Sequence, residues 1–598
     1  MRQILLSIRM LLRFKTYTFI NFIGLVFSVS CALIIARYIY QENNVDHFCP
    51  ELERTFLMTT VMDERILLSG SEDFNKDPNY KNPLLDPCVE KVSQFMLFPD
   101  DHVIVDNHRF SLQTIVTDSL YLCMMPHPVI AGKHTIYAPN DAIITQEFAK
   151  RLFKNENPIG KNLQVSTGDV VTITGIIDKP STKASVQFDL VISKSLRNSW
   201  SHMAYELVQL HRTEDVVELN KKNKQPMELR AYGNRSIYYL LTPLKGFYLN
   251  TTVITYDQIL RGNHTSLNIL TIVSILLLLV GVFNYVNLHT VVMLRRAREF
   301  GVKKVFGANG RTVFLQLYLE NFCLGAVALL FIWTFVEVTR GIVTSWFEIP
   351  VTSDLCFDIW ISALLLFGMP LITSIFPFIR YNYASPIHSL RSISTGGHSV
   401  VSRMIFLFIQ YVITISLIIA AIYFSRQLYY VLHYDLNYKT QDIIQCSLFQ
   451  MQTSWDITSD EEWEANRKKE EADVELVKRK MDESPLFTHW TYGQLPIAIN
   501  PPSMKCTAST GEKAAITIEY IDQRYIELFR LKLKEGRLWN NEKDQFKQYY
   551  FIINETAKRA FHFEDIHNAT LQLERRIWYS TGTVSYTHLR AHETRSNL

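Results

Sequence analysis

The chain alternates between long apolar runs and long mixed stretches. Five runs, at 18–40, 267–292, 313–338, 355–379 and 404–423, are each long enough to cross about 30 Å of hydrocarbon at about 1.5 Å per helical residue. The mixed stretches carry a different pattern. Residues 170–177 alternate like a strand, Asp178, Lys179 and Pro180 then supply turn chemistry, and residues 146–153 space their apolar positions like a helix. The pattern predicts a membrane α-helical protein with α+β domains outside the bilayer.

Charge placement sets the expected orientation. Arg2, Arg9, Arg13 and Lys15 precede the first run, whereas the residues just after it are acidic or neutral. The loop between the second and third runs holds Arg295, Arg296, Arg298, Lys303, Lys304 and Arg311 against the single acid Glu299. The loop between the fourth and fifth holds Arg380, Arg391 and Arg403 with no acid. Lys/Arg-rich short loops stay cytoplasmic, so these segments and the N-terminus are expected inside, with both large mixed stretches outside. The first run begins too late and is too long for a signal peptide, and no small-residue cleavage site follows it, so it reads as an anchor. Before it, the three arginines lie opposite Ile4, Leu5, Ile8 and Leu12 on a helical wheel, as in a basic amphipathic helix on a membrane surface; a plain charged flank is the alternative.

At 598 residues several domains are expected, and a net charge of +3 gives no reason to expect nucleic acid as a partner. The eight cysteines are scattered with no Cys-x-x-Cys pair, so no metal site is expected. Cys49, Cys88 and Cys123 share one outer segment, where a disulfide stays open as a reading. A repeat is visible: Glu147, Ala149, Lys150, Arg151 and Phe153 recur as Glu555, Ala557, Lys558, Arg559 and Phe561, each set behind a pair of isoleucines. This suggests two homologous halves of the form span, outer domain, three spans, with the second half cut short. Residues 584–594 resemble one reading frame of a transposon-type sequencing adapter, and 584–598 are set aside as an assembly artefact.

The segment after the second run is the most informative. It reads Phe283-Asn284-Tyr285-Val286-Asn287, then Arg296-Ala297-Arg298-Glu299-Phe300-Gly301-Val302-Lys303-Lys304-Val305-Phe306-Gly307-Ala308, then Glu320-Asn321. Val302, Val305 and Phe306 make an apolar stripe, Glu299 precedes Lys303 by one turn, and Gly307 with Gly310 supplies a stop. A short helix rimmed by cations between two spans suits docking to a cytoplasmic partner, although charge alone would also suit a loop that only sets topology. Intramembrane Asn284, Asn287, Glu320 and Gln410 are candidates for helix-to-helix hydrogen bonds, whereas Glu337 and Asp358 fall near span ends and are expected to be solvated.

These residues closely resemble the Asn-x-x-Asn, Arg-x-Arg-Glu-x-Gly-x-x-Lys-x-x-Gly-Ala, Glu signature of MacB/FtsX-type ABC transporter permeases. Asn157-Pro158-Ile159-Gly160-Lys161, Thr174-Gly175-Ile176-Ile177, Ser385-Pro386-Ile387 with Leu390-Arg391, Gln410, Glu535-Gly536-Arg537 and Ile553-Asn554-Glu555-Thr556-Ala557 are similar to further family pieces. The double layout is most like the eight-span, two-half type common in Bacteroidetes, here C-terminally truncated. The resemblance implies that Arg296, Arg298, Glu299, Val302, Lys303, Lys304, Val305 and Phe306 form a coupling helix against a separate cytoplasmic ABC ATPase. It also implies outer domains of MacB periplasmic-core type and a multi-pass protein of the bacterial inner membrane.

The implied layout is a cytoplasmic amphipathic helix at 1–15, spans at 16–41, 267–294, 313–338, 355–379 and 404–424, and periplasmic core domains at 42–266 and 425–583. The coupling helix is placed at 295–312 and a cytoplasmic linker at 380–403. No phosphate loop is present, since Gly307-Ala-Asn-Gly310-Arg-Thr lacks the spacing and the lysine. The chain is therefore expected to be a non-catalytic permease with no cofactor of its own, ATP-Mg residing on the ATPase. Its expected role is mechanotransmission that exports a peptide, drug or lipoprotein, as a homo- or heterodimer with a periplasmic adaptor or outer-membrane component. The competing expectation is an FtsX-like signalling permease that activates a cell-wall hydrolase without transport.

Overall fold

The computed structural model describes residues 15–62, 65–68, 82–154, 156–166, 168–196, 204–224, 227–229, 235–255, 259–295, 302, 306–307, 309–347, 354–383, 397–434, 438–439, 441–444, 460–491, 503–518, 521–538, 549–566, 569–573 and 576–584. The chain divides into two units, 1–424 and 425–598.

Five helices have the length and composition to span a membrane: α1 (Lys15–Asn43), α5 (His264–Arg295), α6 (Gly310–Phe347), α7 (Leu355–Tyr383) and α8 (Gly397–His433). Each runs past the apolar stretch that predicts it. The linker before α8 is correspondingly shorter than 380–403, because α7 continues to Tyr383 and α8 starts at Gly397. Leu25, Val29 and Leu33 of α1, Tyr285 of α5, Ala328, Ile332 and Val336 of α6, and Ile361, Leu365 and Met369 of α7 share one apolar core.

In lipid, apolar burial alone gives helices little reason to associate, so close backbone approach and hydrogen bonds carry the packing. Gly281 of α5 faces Ser28 of α1 so closely that a Cβ there would lie 2.2 Å from Ser28 Oγ, and a Cβ on Gly24 would lie 2.7 Å from Asn284 Nδ2. Ser274 Oγ donates across the same interface to the Ala32 carbonyl at 3.1 Å. On α8, by contrast, Phe408, Ile415, Ile418, Ile419 and Ile422 are all exposed.

Between α1 and α5 lies a 13-stranded domain. Strands β1 (Thr55–Met62), β2 (Arg65–Leu67), β3 (Val89–Val105), β4 (His108–Thr117), β10 (Tyr205–Leu210), β11 (Met227–Leu229), β12 (Arg235–Pro243) and β13 (Val253–Ile254) frame helices α2 (Tyr121–Met124) and α4 (Asp215–Asn223). The remaining elements are β5 (Val129–Gly132), β6 (Asp141–Thr145), α3 (Gln146–Phe153), β7 (Asn162–Val165), β8 (Val170–Ile177) and β9 (Leu190–Ser193).

β3 is long enough to serve two layers. Its first half joins the antiparallel run β11-β12-β1-β10-β3, and its second half enters a closed ring. In that ring β3 pairs β4, β4 pairs β9, β9 pairs β6, β6 pairs β8, β8 pairs β7, and β7 returns to β3. Val103, Leu112, Ile144, Leu163, Ile173 and Ile192 fill it, with Phe148 and Phe153 of α3 packed on the same core. The strand expected at 170–177 and the helix expected at 146–153 are β8 and α3. Thr145 caps α3 by accepting the Phe148 N–H at 3.3 Å. Cys49, Cys88 and Cys123 are all free: Cys49 Sγ donates to the Met124 carbonyl, and burial with Asp86 nearby pushes the Cys88 thiol up to about 12.

The second unit contains α9 (Asp460–Glu483), β14 (Ser503–Ala508), β15 (Lys513–Thr517), α10 (Gln523–Phe529), β16 (Leu533–Gly536), β17 (Tyr549–Asn554), α11 (Glu555–Ala560), β18 (Thr570–Leu573) and β19 (Arg576–Val584). Val584, set aside on sequence grounds, is the last residue of β19, and 585–598 lie outside the described residues.

The repeat extends well beyond the helix that announces it. β6-α3-β7-β8 and β17-α11-β18-β19 share one topology: a strand, a short helix, then a hairpin whose second strand returns parallel to the first. β5 and β16 each add antiparallel to that returning strand, through Gly132 opposite Gly175 and Gly536 opposite Gly582. Gly132 and Gly536 both have positive φ, +80° and +85°. At Gly132 a Cβ would also strike the Thr174 carbonyl oxygen at 2.2 Å, so this crossing admits only glycine. Asn554 caps α11 by accepting the Ala557 N–H at 2.8 Å, as Thr145 caps α3. α11 starts one residue later relative to its closing Phe561 than α3 does relative to Phe153.

Candidate functional site

The loop that joins α5 to α6 carries the expected docking surface. Arg296, Arg298, Glu299, Lys303, Lys304 and Val305 lie outside the described residues. Val302 is helical and 42% exposed, and Phe306, whose N–H donates to the Val302 carbonyl at 3.0 Å, is 86% exposed. Gly307 follows with φ +81°, and α6 begins three residues later. Two apolar side chains of one turn thus stand uncovered where the chain reverses between two spanning helices.

From that loop the bundle is cross-linked by polar groups, at positions adjacent to those the sequence points to. Tyr285 OH donates to Asn321 Oδ1 at 2.8 Å, and Asn321 Nδ2 donates to Ser374 Oγ at 2.8 Å, joining α5, α6 and α7. Asn284 lies one residue away against Gly24, Glu320 accepts from Gln316 Nε2 on its own helix at 2.9 Å, and the Asn287 side chain lies outside the described residues. Gln410 sits on α8, its Oε1 enclosed without a hydrogen-bond partner among the described residues.

Toward the other end of the bundle the expectation of a solvated side chain holds for Glu337 and is corrected for Asp358. Arg37 of α1, 2% exposed, donates from Nε and Nη2 to the two Asp358 oxygens at 3.0 and 2.6 Å and from Nη1 to Glu337 Oε1 at 3.0 Å. Its guanidinium lies 4.7 Å from the centre of the Trp333 ring, and Trp333 Nε1 donates to Ser362 Oγ at 2.8 Å. A fork of this kind matches a carboxylate geometrically, and low dielectric strengthens it. Asp358 is thereby drawn inward, while Glu337 keeps about half its surface and also pairs with Arg340. A lone arginine inside the first apolar run, with two acids in later runs, was the available sequence signal.

α1 then enters the domain through a charged clamp. Buried Glu42 accepts from Lys183 Nζ at 2.6 Å and from the Tyr248 hydroxyl, and Lys183 also donates to Tyr248 OH at 2.8 Å. Burial, together with Glu42, pushes the Tyr248 hydroxyl well above its ordinary range, so it remains a donor. Asp46, three residues past the end of α1, is fully buried at φ +64°; its N–H donates to the Lys183 carbonyl and its Oδ1 accepts the Ser185 N–H, both at 2.8 Å. The helix end is thus tied to the 183–185 strap by side chains and backbone together.

Asp46 also makes the domain sensitive to pH. Burial lifts its carboxyl from 3.8 to about 6, partly offset by the Ser185 N–H. The folded chain therefore holds a proton that the unfolded chain releases, so this contribution is present below about pH 4 and lost as pH rises through about 6, a change of about 3 kcal/mol. His127 works in the opposite direction, because burial holds its imidazole neutral. Asp46→Asn is expected to raise the melting temperature at pH 7.5, and the stability gap between variant and wild type is expected to widen from pH 5 to 7.5 along a single acid titration. Equal melting curves for both proteins at pH 7.5 would refute the assignment.

Two family models match this chain: "MacB-like periplasmic core domain" over residues 18–223 and "FtsX-like permease C-terminal" over residues 271–386. The first covers α1 and most of the ringed domain, and the second covers α5, the exposed loop, α6 and α7. The chain belongs to the MacB/FtsX-type permeases. It is a membrane protein of an ABC transporter permease family, with five candidate spanning helices and an α/β core domain.

No curated protein matches this permease. Among solved structures it is similar to a domain of a permease protein from Porphyromonas gingivalis (19% identity, 38% of this chain and 98% of that one, TM-score 0.27). It is also similar to the extracellular domain of the noncanonic ABC-type transporter YknZ from Gram-positive bacteria (16%, 31% and 99%, 0.24). A third likeness is to the periplasmic region of MacB from Actinobacillus actinomycetemcomitans (14%, 31% and 88%, 0.22).

Proposed function

We propose that this permease couples ATP hydrolysis by a separate cytoplasmic ATPase to movement of its outer domains, by mechanotransmission that drives export or extrusion of a peptide, drug or lipoprotein. The observation that carries the reading is the continuity of α1. One helix packs on α5 at Gly24, Ser28 and Gly281, is pinned to α6 and α7 through Arg37, and ends in the Glu42–Lys183–Tyr248 clamp of the domain. A displacement of α5 and α6 at the exposed loop has a stiff, hydrogen-bonded route to that clamp, which is what a lever requires.

The ATPase docks on the loop in this reading, with Val302, Val305 and Phe306 entering a groove and Arg296, Arg298, Glu299, Lys303 and Lys304 pairing around it. The N-terminus and this loop are cytoplasmic and the domains periplasmic, in an inner-membrane dimer that engages an adaptor or outer-membrane component.

The permease, purified from cells that also express candidate ATPases, is expected to capture one of them. Glu299→Arg combined with Val302→Asp is expected to reach the membrane and lose that capture. Failure of the wild type to retain any ATPase would remove the transporter reading.

A further inference from the structure

Asp46 stands where the first spanning helix meets the domain, and one side of its carboxyl is left without a donor. The residue is fully buried, and its φ of +64° is a left-handed value that Asp and Asn adopt more readily than most side chains. Oδ1 accepts the Ser185 N–H at 2.8 Å, whereas Oδ2 is enclosed with no hydrogen-bond partner among the described residues. A buried carboxyl served on one side is held more readily as the neutral acid than as a carboxylate, which gives up water and gains no counter-charge.

The groups around it do not supply that charge. Glu42 of α1 is itself an acid, and the Lys183 ammonium is held by Glu42 at 2.6 Å and by the Tyr248 hydroxyl at 2.8 Å. The 247–249 turn and α2 bring the hydroxyls of Tyr248 and Tyr121 within electrostatic reach, and burial keeps both neutral. Burial likewise raises the Cys49 thiol on the same turn as Asp46. The Ser185 N–H and hydroxyl and the neighbouring His47 favour the carboxylate and offset part of the burial.

Asp46 also lies at the centre of a joint that holds two spanning helices. Its N–H donates to the Lys183 carbonyl at 2.8 Å, and the Phe48 N–H donates to Thr182 Oγ1 at 3.1 Å, so the root of α1 is fastened to the 182–185 strap. The Ser185 carbonyl accepts the Leu260 N–H at 2.9 Å, four residues before α5 begins, so the root of α5 is fastened to the same strap. Parting the 44–49 turn from the strap breaks the first set of bonds and brings Oδ2 to water.

We propose that Asp46 is a proton-operated latch between the outer domain and the roots of the spanning helices. With its proton the 44–49 turn seats on the strap; without it the carboxylate draws turn and strap apart and admits water. The ligand that regulates the joint is the proton of the compartment around the domain. In the lever reading above, on which this consequence rests, an acidic exterior gives a tight transmission and a neutral exterior a slack one. Because the closed joint holds the carboxyl at about 6 against 3.8 in water, the fastening is complete below about pH 4 and weakens as pH rises through about 6. His127, whose ring meets Phe48 edge-on at 5.4 Å, is kept neutral by burial and opposes the latch only below the ordinary imidazole range.

Hydrogen exchange of the full chain alone in detergent tests the latch with no ATPase present, so its outcome is separate from that of the lever reading. After correction for the intrinsic pH dependence of exchange, protection of the Asp46, Phe48 and Ser185 amides is expected to fall about tenfold between pH 5 and 7.5, the linkage value for a carboxyl shifted this far. Their exchange is expected to be insensitive to low urea, which marks a local opening rather than unfolding of the domain. Asp46→Asn, which tolerates the same left-handed backbone and keeps an acceptor for the Ser185 N–H, is expected to show the pH 5 protection at both pH values. Constant protection in the wild type, a tenfold fall that persists in Asp46→Asn, or exchange at these amides that follows urea in step with β6 and β8 would each overturn the proposal.

Discussion

Replacing Arg37 with methionine is expected to cost the helix bundle about 3–5 kcal/mol, the range for breaking one side of a buried ion pair. The loss comes from what remains. Asp358 keeps only 15% of its side-chain surface, and without the guanidinium its carboxylate has no counter-charge in a low-dielectric setting. Glu337 suffers less, being nearly half exposed and retaining Arg340. Arg37→Met together with Asp358→Asn is therefore expected to recover most of the stability, whereas Arg37→Met with Glu337→Gln recovers little. Denaturant titration in detergent, followed through Trp333 fluorescence, measures all three. Equal losses in the single and both double variants would show that Arg37 acts by packing on Trp333 rather than by holding Asp358.

The second large effect is expected at the clamp. Lys183→Met leaves buried Glu42 with Tyr248 as its remaining partner, and the removal of one charge from such a pair costs about 3 kcal/mol or more. The consequence for coupling is greater than that for stability. With the Lys183 side chain gone, the strap keeps Asp46, the Phe48 N–H on Thr182 Oγ1 and the Leu260 N–H on the Ser185 carbonyl, and amide exchange at residues 44–49 and 183–185 is expected to accelerate roughly tenfold or more, while α5, α6 and the exposed loop keep wild-type protection. Uniform acceleration across the bundle would mean that the clamp is merely one part of general stability. Capture of the ATPase is expected to be unchanged in this variant, because the docking loop lies at the other end of the helices.

Much of this architecture is legible in the chain. Membrane length is a hard physical limit, so apolar runs mark the spanning helices, and 146–153 and 170–177 keep their periodicity because each lies with one face on the ring core. The repeat is legible at α3 and α11 because a short amphipathic helix needs the same apolar positions in both copies. Its further extent is not, since strand pairing joins residues far apart in sequence and only the opposed glycines at Gly132–Gly175 and Gly536–Gly582 leave a trace.

The polar cross-links were harder to read for a related reason. Asn284 and Glu320 attract attention as polar residues in apolar runs, and Asn284 does lie against α1 at Gly24, yet the hydrogen bonds that join α5, α6 and α7 come from the adjacent Tyr285 and Asn321. A shift of one residue turns a side chain by about 100° on a helix, and no periodicity argument on a nearly all-apolar segment fixes that angle. The Glu42–Lys183–Tyr248 clamp, spread over more than 200 residues of sequence, has no local signature at all.

The most direct measurement of the central claim is a distance between the domain and the membrane helices in two nucleotide states. Spin labels at Tyr137, exposed on the domain, and at Val338, exposed on α6, are suited to it in the reconstituted permease–ATPase complex. The account predicts that the distance distribution shifts between a non-hydrolysable ATP analogue and ADP in the wild type and stays fixed in Lys183→Met. Identical distributions in both nucleotide states of the wild type, with the ATPase bound, would contradict it.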